Sequence, residues 1–163
     1  MSRKTVAGGV LALILVLLGV LGWRLYLRAV EPGLFLRAAA DGDTARVRAL
    51  LDHGVNVNHR DEVGMTALQS AAMNGRTNTV RLLLQRGADP KGYDQALRAA
   101  ALNCHAAIVQ LLLMRGLHPR AVLDKDKDGH TTLWHVNQKL KNPGLSSACA
   151  QTLEILRKAG VKE

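Results

Sequence analysis

At 163 residues the chain has room for one modest domain, and its 22 Lys and Arg against 13 Asp and Glu leave a formal net charge of +9. Two cysteines, Cys104 and Cys149, are too few for a disulfide framework. Past residue 30 the aromatics are Phe35, Tyr93 and Trp134, too sparse for the stacking platform of a single-strand nucleic-acid binder.

Residues 1–5 are a basic tail carrying Arg3 and Lys4. From Val6 to Trp23 every residue is apolar or glycine, a run of about 27 Å if helical, close to the roughly 30 Å of membrane hydrocarbon. Trp23 and Tyr26 follow at headgroup level, where Arg24 and Arg28 can snorkel. A cleaved signal needs a shorter apolar core and a small-residue site, and Val20-Leu21-Gly22 is a poor one. The expectation is one N-terminal transmembrane helix or signal-anchor over 6–23 and a juxtamembrane linker over 24–33. A cleaved signal, or a buried soluble helix, is the lesser alternative. Flanking positive charge nearly balances, and the short tail favours a single-pass protein of the cell membrane with its C-terminal domain on the periplasmic or extracytoplasmic side.

The charge is a weak argument for nucleic acid. Four basic residues and one acidic precede Gly33 and hold +3 of the total, while 18 basic and 12 acidic residues are spread over the rest. Nucleic-acid binding is disfavoured. Contact with anionic lipid fits better, since basic residues near a membrane gain about 1 kcal/mol each.

Beyond the linker the chain repeats itself. Val47-Arg48-Ala49-Leu50-Leu51-Asp52-His53-Gly54 returns as Val80-Arg81-Leu82-Leu83-Leu84-Gln85-Arg86-Gly87, 33 positions on (87 − 54). Val109-Gln110-Leu111-Leu112-Leu113-Met114-Arg115-Gly116 is a third copy, and Leu153 to Gly160 a fourth. Self-similarity at a fixed period predicts a solenoid of stacked helix pairs, an architecture that binds rather than catalyses.

The second copy shows each pair's anatomy. Thr66 and Gln69 have capping-box spacing at a helix start. Leu68, Ala71 and Ala72 share one face, and the small alanines let helices approach closely. Gly75 ends the first helix with a positive φ, Thr77 or Asn78 caps the second, and Val80, Leu83 and Leu84 form its apolar stripe up to Gly87. The stretch from Asp61 to Pro90 resembles the ankyrin repeat, with Ala67 at that family's proline and Gln69 at its histidine. The resemblance implies an all-α ankyrin-repeat solenoid over 34–163, of about four repeats near 34–58, 61–90, 94–120 and 126–163.

The other copies depart from the pattern. Leu36, Ala38, Ala39 and Gly42 open the first, but Glu31-Pro32-Gly33 stands where its turn should begin, which makes it an N-terminal cap. The third follows after 29 positions (116 − 87), so its finger at Lys91 to Asp94 is shortened. Cys104 occupies its glycine position, so either Asn103 takes the positive φ or the turn is altered. In the fourth, Val136 and Asn137 replace the paired alanines, and an insertion near Lys139 to Ser147 separates the helices.

Chemistry-bearing motifs are weak. Asp124, Asp126, Asp128 and Gly129 match a calcium loop, but His135 stands where the bidentate glutamate belongs. His105, His118, His130 and His135, with Cys104, lack the compact spacing of a structural zinc site. Neither Cys104 nor Ser146 has an elbow or an oriented base. No catalytic, metal or cofactor residues are assigned, and no enzyme activity is expected. Cys104 and Cys149 fall at near-equivalent sites on successive repeats, about one helix spacing apart, beyond disulfide reach unless the inserted loop closes the gap. Two free, half-buried thiols are expected, with a disulfide as the alternative.

Ankyrin domains usually bind proteins through finger tips and the exposed edge of each first helix. By resemblance the contact residues are Arg60, Glu62, Met65, Gln69, Ser70 and Met73 in the second repeat, joined by His59 and Val63. In the third they are Tyr93 and Arg98, and in the fourth Lys127, His130 and Trp134. Large apolar groups at exposed positions anchor interfaces, although Trp134 could instead fill space left by the absent alanine pair. The expected function is a protein–protein interaction module tethered to the membrane, holding a partner protein near the bilayer. The alternative is a soluble exported ankyrin protein, released by signal cleavage and acting as a protective or inhibitory binder.

Overall fold

The computed structural model describes residues 19, 32–89, 92–116, 119–141, 144 and 146–161. Apart from residue 19, the run 6–23 expected to cross a membrane lies outside the described residues, as does the linker up to residue 31. Among the described residues no helix is long and apolar enough to span a bilayer.

Among the described residues four helix pairs follow one another. Residues 32–41 are helical (α1), including Pro32 and Gly33. They pair with α2, Thr44–Asp52. Next come α3, Ala67–Met73, with α4, Thr77–Gln85, and α5, Tyr93–Leu102, with α6, Ala106–Leu113. A 3-10 turn at Pro119–Val122 leads to α7, Thr132–Lys139, and α8, Ser146–Lys158. The first helices α3, α5 and α7 pack in one layer, and the second helices α2, α4, α6 and α8 in another. Between hairpins run fingers rather than strands, closed by single antiparallel bridges at Arg60–Thr66 and Lys125–Thr131.

The core is one continuous cluster through all four pairs. Leu68, Ala71 and Ala72 of α3 face Val80 and Leu83 of α4, and Ala100, Ala101, Val109 and Leu112 repeat the arrangement one layer on. One helix pair cannot cover its own apolar face, so each leans on its neighbours. In the last pair Val136 takes the place of the first of the paired alanines and Leu133 stands where Leu68 does in the second pair, and both are buried. Trp134 does not fill it, because its position on α7 points it outward and leaves it 41% exposed.

The capping box is present: the Thr66 amide donates to Gln69 Oε1 at 2.8 Å, and the Gln69 amide to Thr66 Oγ1 at 3.3 Å. Neither Thr77 nor Asn78 caps α4. The cap residue is Arg76, without a side-chain bond, since Thr77 already lies in the helix and its amide donates to Gly75 O.

Arg76 acts on the preceding pair instead. Its Nε–H donates to Ala40 O at 3.0 Å, near the end of α1. His105, one repeat later, donates through Nε2 to Met73 O at 3.0 Å, at the end of α3. The insertion displaces the equivalent position in the fourth pair, and Lys139 Nζ takes over by donating to Leu102 O at the end of α5. Each bond satisfies a terminal carbonyl with a basic group at the negative end of a helix. These side chains lie close across the turns: a Cβ on Gly42 would sit 2.8 Å from Arg76 Cδ, and one on Gly75 2.7 Å from His105 Cε1, so either would have to displace its neighbour.

The third turn corrects two sequence expectations. Cys104 itself takes the left-handed conformation, at φ 58°, while Asn103 stays at φ −99°. The thiols are not free either. Cys104 and Cys149 form a disulfide with Cα atoms 4.6 Å apart, and both are buried. Cys149 lies in the first turn of α8, where the insertion brings it beside the α5–α6 turn instead of at regular helix spacing.

Candidate functional site

Two fingers are built alike, each around one aspartate. Asp61 Oδ1 accepts from the Val63 amide at 3.1 Å and the Met65 amide at 2.7 Å. Asp126 Oδ1 accepts from the Asp128 and His130 amides, both at 2.9 Å. Asp126 is held further, because His135 Nε2–H donates to its Oδ2 at 2.6 Å. That bond, then the backbone amide of His130, lowers the Asp126 carboxyl to a pKa of about 2.

The first of these fingers and α3 form one wall of an open concavity of about 400 Å³, lined by Arg60, Val63, Gly64, Met65, Gln69, Met73, Gln95 and Ala99. Val63 is 82% exposed and Met73 40%, so the wall of the hollow presents apolar side chains to solvent. Arg60 is positioned on its rim by donating through Nη1 to Gly64 O at 2.9 Å. A smaller hollow of about 200 Å³ lies farther along the same layer, lined by Arg98, Leu102, Asp124, Asp126, His130, Thr132 and His135.

Sequence-assigned contact residues divide into two groups. Arg60, Glu62, Met73, Lys127 and Trp134 are exposed, and Met65, Arg98 and His130 partly so. Gln69, Ser70 and Tyr93 are buried and offer almost no surface to a partner. Gln69 is consumed by the capping box and by its Nε2 bond to Gln95 Oε1 on the next helix. Shortening of the third finger draws Tyr93 into the first turn of α5, where its hydroxyl donates to Ala88 O at 2.9 Å. Arg98 is fastened by Ala121 O at 3.3 Å and Asp124 at 2.9 Å, so it shapes the surface more than it reaches out.

Sequence reasoning missed one cluster. The His130 ring stacks on Trp134 with centroids 3.8 Å apart, and His135 meets Trp134 edge-on at 5.0 Å. The four-residue step from His130 to Trp134, across a helix start capped by Thr131, was its signal. These histidines have aromatic and carboxylate partners, and His105 has a carbonyl partner; His118 lies outside the described residues. Among the described residues no three His, Cys, Asp or Glu side chains converge as a metal site. Cys104 has no thiol to offer as a nucleophile. The face therefore presents shape, exposed apolar groups and paired charges.

The family model for ankyrin repeats (many copies) matches residues 35–84 and 71–113. Cortactin-binding protein 2 of Echinops telfairi is 46% identical over 61 residues, 37% of this chain and 4% of that protein. Ankyrin repeat domain-containing protein 63 of Homo sapiens is 48% identical over 50 residues, 31% of this chain and 13% of its own length. The 2-5A-dependent ribonuclease of Mus musculus is 43% identical over 61 residues, covering 37% of this chain and 8% of that enzyme. The chain thus spans a small fraction of the length of each.

Proposed function

Because the chain belongs, through residues 35–113, to the ankyrin repeat family of protein–protein interaction modules, we propose that it seats a protein partner on its finger face while tethered to a membrane. The supporting observation is the concavity bounded by Met65, Met73, Val63 and Arg60. Apolar anchors in a hollow with a charged rim are the usual composition of an interface centre. Trp134 and His130 extend the seat toward the fourth repeat, with Lys127 and Glu62 as rim charges. Gln69 lines the hollow, while Ser70 and Tyr93 are buried and lie outside its lining. The reading is non-catalytic: the similarity to the ribonuclease lies in a stretch of repeats covering 8% of that enzyme.

The tether reading draws on Val6 to Trp23, a run long enough to cross hydrocarbon. The Cys104–Cys149 disulfide supports an extracytoplasmic domain, since disulfides persist in oxidising compartments and are rare in the cytosol. That bond equally favours the second reading, an exported protein freed by cleavage that acts as a protective or inhibitory binder. The mature N-terminus separates them: a chain beginning at Met1 or Ser2 retains the tether, and one beginning near Trp23 has lost it.

The seat is tested by photo-crosslinkers placed singly at Met73 and at Gln110 in the full chain, in membranes of its native host. The proposal expects a discrete adduct from position 73 and none from position 110 on the second-helix layer. The same adduct from both positions, or from 110 alone, removes the finger face as the seat.

A further inference from the structure

Net charge differs between the two faces of the solenoid. Arg48 in α2 and Arg81 in α4 stand at one register, six positions before Gly54 and Gly87. Arg115 directly precedes Gly116, as Arg86 precedes Gly87. Arg48, Arg81 and Arg115 are exposed and enter no ion pair or side-chain hydrogen bond among the described residues. The acids of this layer are already engaged. Asp52 pairs with Arg86 at 2.7 Å, Glu154 with Lys158 at 2.7 Å, and Asp43 caps α2 by accepting from the Arg46 amide. The opposite face is mixed in sign, with Asp61, Glu62, Asp94, Asp124, Asp126 and Asp128 interspersed with Arg60, Arg98, Arg120, Lys125 and Lys127, so positive charge is in excess only on the second-helix layer.

We infer that the second-helix layer rests on an anionic phospholipid surface, with the fingers turned toward water. This rests on the tethered reading above. Eight residues, 24–31, separate the apolar run from the helical residue 32, a span of at most about 29 Å. The domain is therefore confined beside the headgroups, where charge complementarity selects the face that turns toward them. Free guanidinium groups present donor forks that match phosphate oxygens. Met114, 74% exposed and next to Arg115, adds an apolar side chain to the same face. Nucleic acid is the poorer fit, since Phe35, Tyr93 and Trp134 all sit on first helices and leave this layer without a Phe, Tyr or Trp ring to stack on among the described residues. The arrangement presents the seat away from the bilayer, open to a partner.

The experiment places the full chain in nanodiscs of phosphatidylcholine, or of phosphatidylcholine mixed with phosphatidylglycerol, and follows modification of each arginine by phenylglyoxal with mass spectrometry. Arg48, Arg81 and Arg115 should react about fivefold or more slowly in the anionic discs, while Arg60 on the finger keeps its rate. High salt should abolish the protection. The exposed double variant Arg48→Glu/Arg81→Glu should lose protection at Arg115 with its helix content unchanged. Equal rates in both lipids, equal slowing of Arg60, or equal protection by a single-stranded oligonucleotide in neutral discs would overturn the inference. Retention in neutral vesicles through a high-salt wash reports separately on the tether. A chain that washes out sinks the tethered reading, and labelling of that released chain with added anionic vesicles still decides the face.

Discussion

Cys104 and Cys149 are joined across the seam between the third and fourth repeats, Cα to Cα 4.6 Å, and Cys104 is the one non-glycine among the described residues with a positive φ. Its position in the turn belongs to glycine in the first two pairs, at Gly42 and Gly75. A side chain is placed in that unfavourable conformation where it can bond the last helix. The bond closes a loop of sequence separation 45 between the α5–α6 turn and α8.

Opening that loop should destabilise the domain. Chain-entropy arguments put the loss at about 4 kcal/mol as an upper figure, and about 2–4 kcal/mol is expected for Cys149→Ala, read as a lower urea midpoint. Adding Cys104→Gly should return roughly 1 kcal/mol by relieving the left-handed backbone. A Cys149→Ala chain as stable as wild type would show that packing alone holds α8.

Leu83 is fully buried on the stripe of α4. Truncation to alanine leaves a cavity and should cost about 2–5 kcal/mol. With so few repeats to share the loss, the thermal midpoint should fall by many degrees. A midpoint within about a degree of wild type would mean that the layers are not in this register.

Gly75 and Gly87 have similar angles, φ 71° and 82°, but different surroundings: His105 crowds the first, and nothing lies within 4 Å of a Cβ on the second. Gly87→Ala should therefore cost about 1 kcal/mol, the backbone term alone. Gly75→Ala should cost more, and His105→Ala in the same chain should remove the excess. Equal costs at the two glycines would deny the contact between repeats.

The stacking of hairpins was legible because its signals are local. Glycines that end the helices, a 3.6-residue apolar stripe and the Thr66–Gln69 box each act within a few residues. What stayed hidden depends on distances set elsewhere. The disulfide requires the path of the insertion between α7 and α8, which period counting cannot supply. Tyr93 reads as a finger tip until the shortened finger pulls it into α5. Gln69 keeps a surface position in the family pattern, yet here the cap and Gln95 consume it. Trp134 could be read as filler or anchor, and only the placement of Val136 in the core decides.

Asp126 gives a pH prediction with a definite sign. Its folded pKa is depressed from 3.8 to about 2. Its contribution to finger order is therefore fully present above about pH 4 and lost as pH falls through about 2. The amide resonances of Asp128 and His130, which donate to this carboxylate, should titrate with a midpoint near the lower value. Asp126→Asn should abolish that titration. A midpoint at the ordinary carboxylate value would show that the His135 bond does not persist in solution.

The central claim is a seat for protein on the finger face, and the Met65→Ser/Met73→Ser chain tests it most directly. Partner recovery from detergent extract should be compared with wild type, alongside helix content by circular dichroism. The account predicts that recovery falls at least about tenfold while helix content holds, because both methionines line the hollow rather than the core. Undiminished recovery with the fold intact would contradict it.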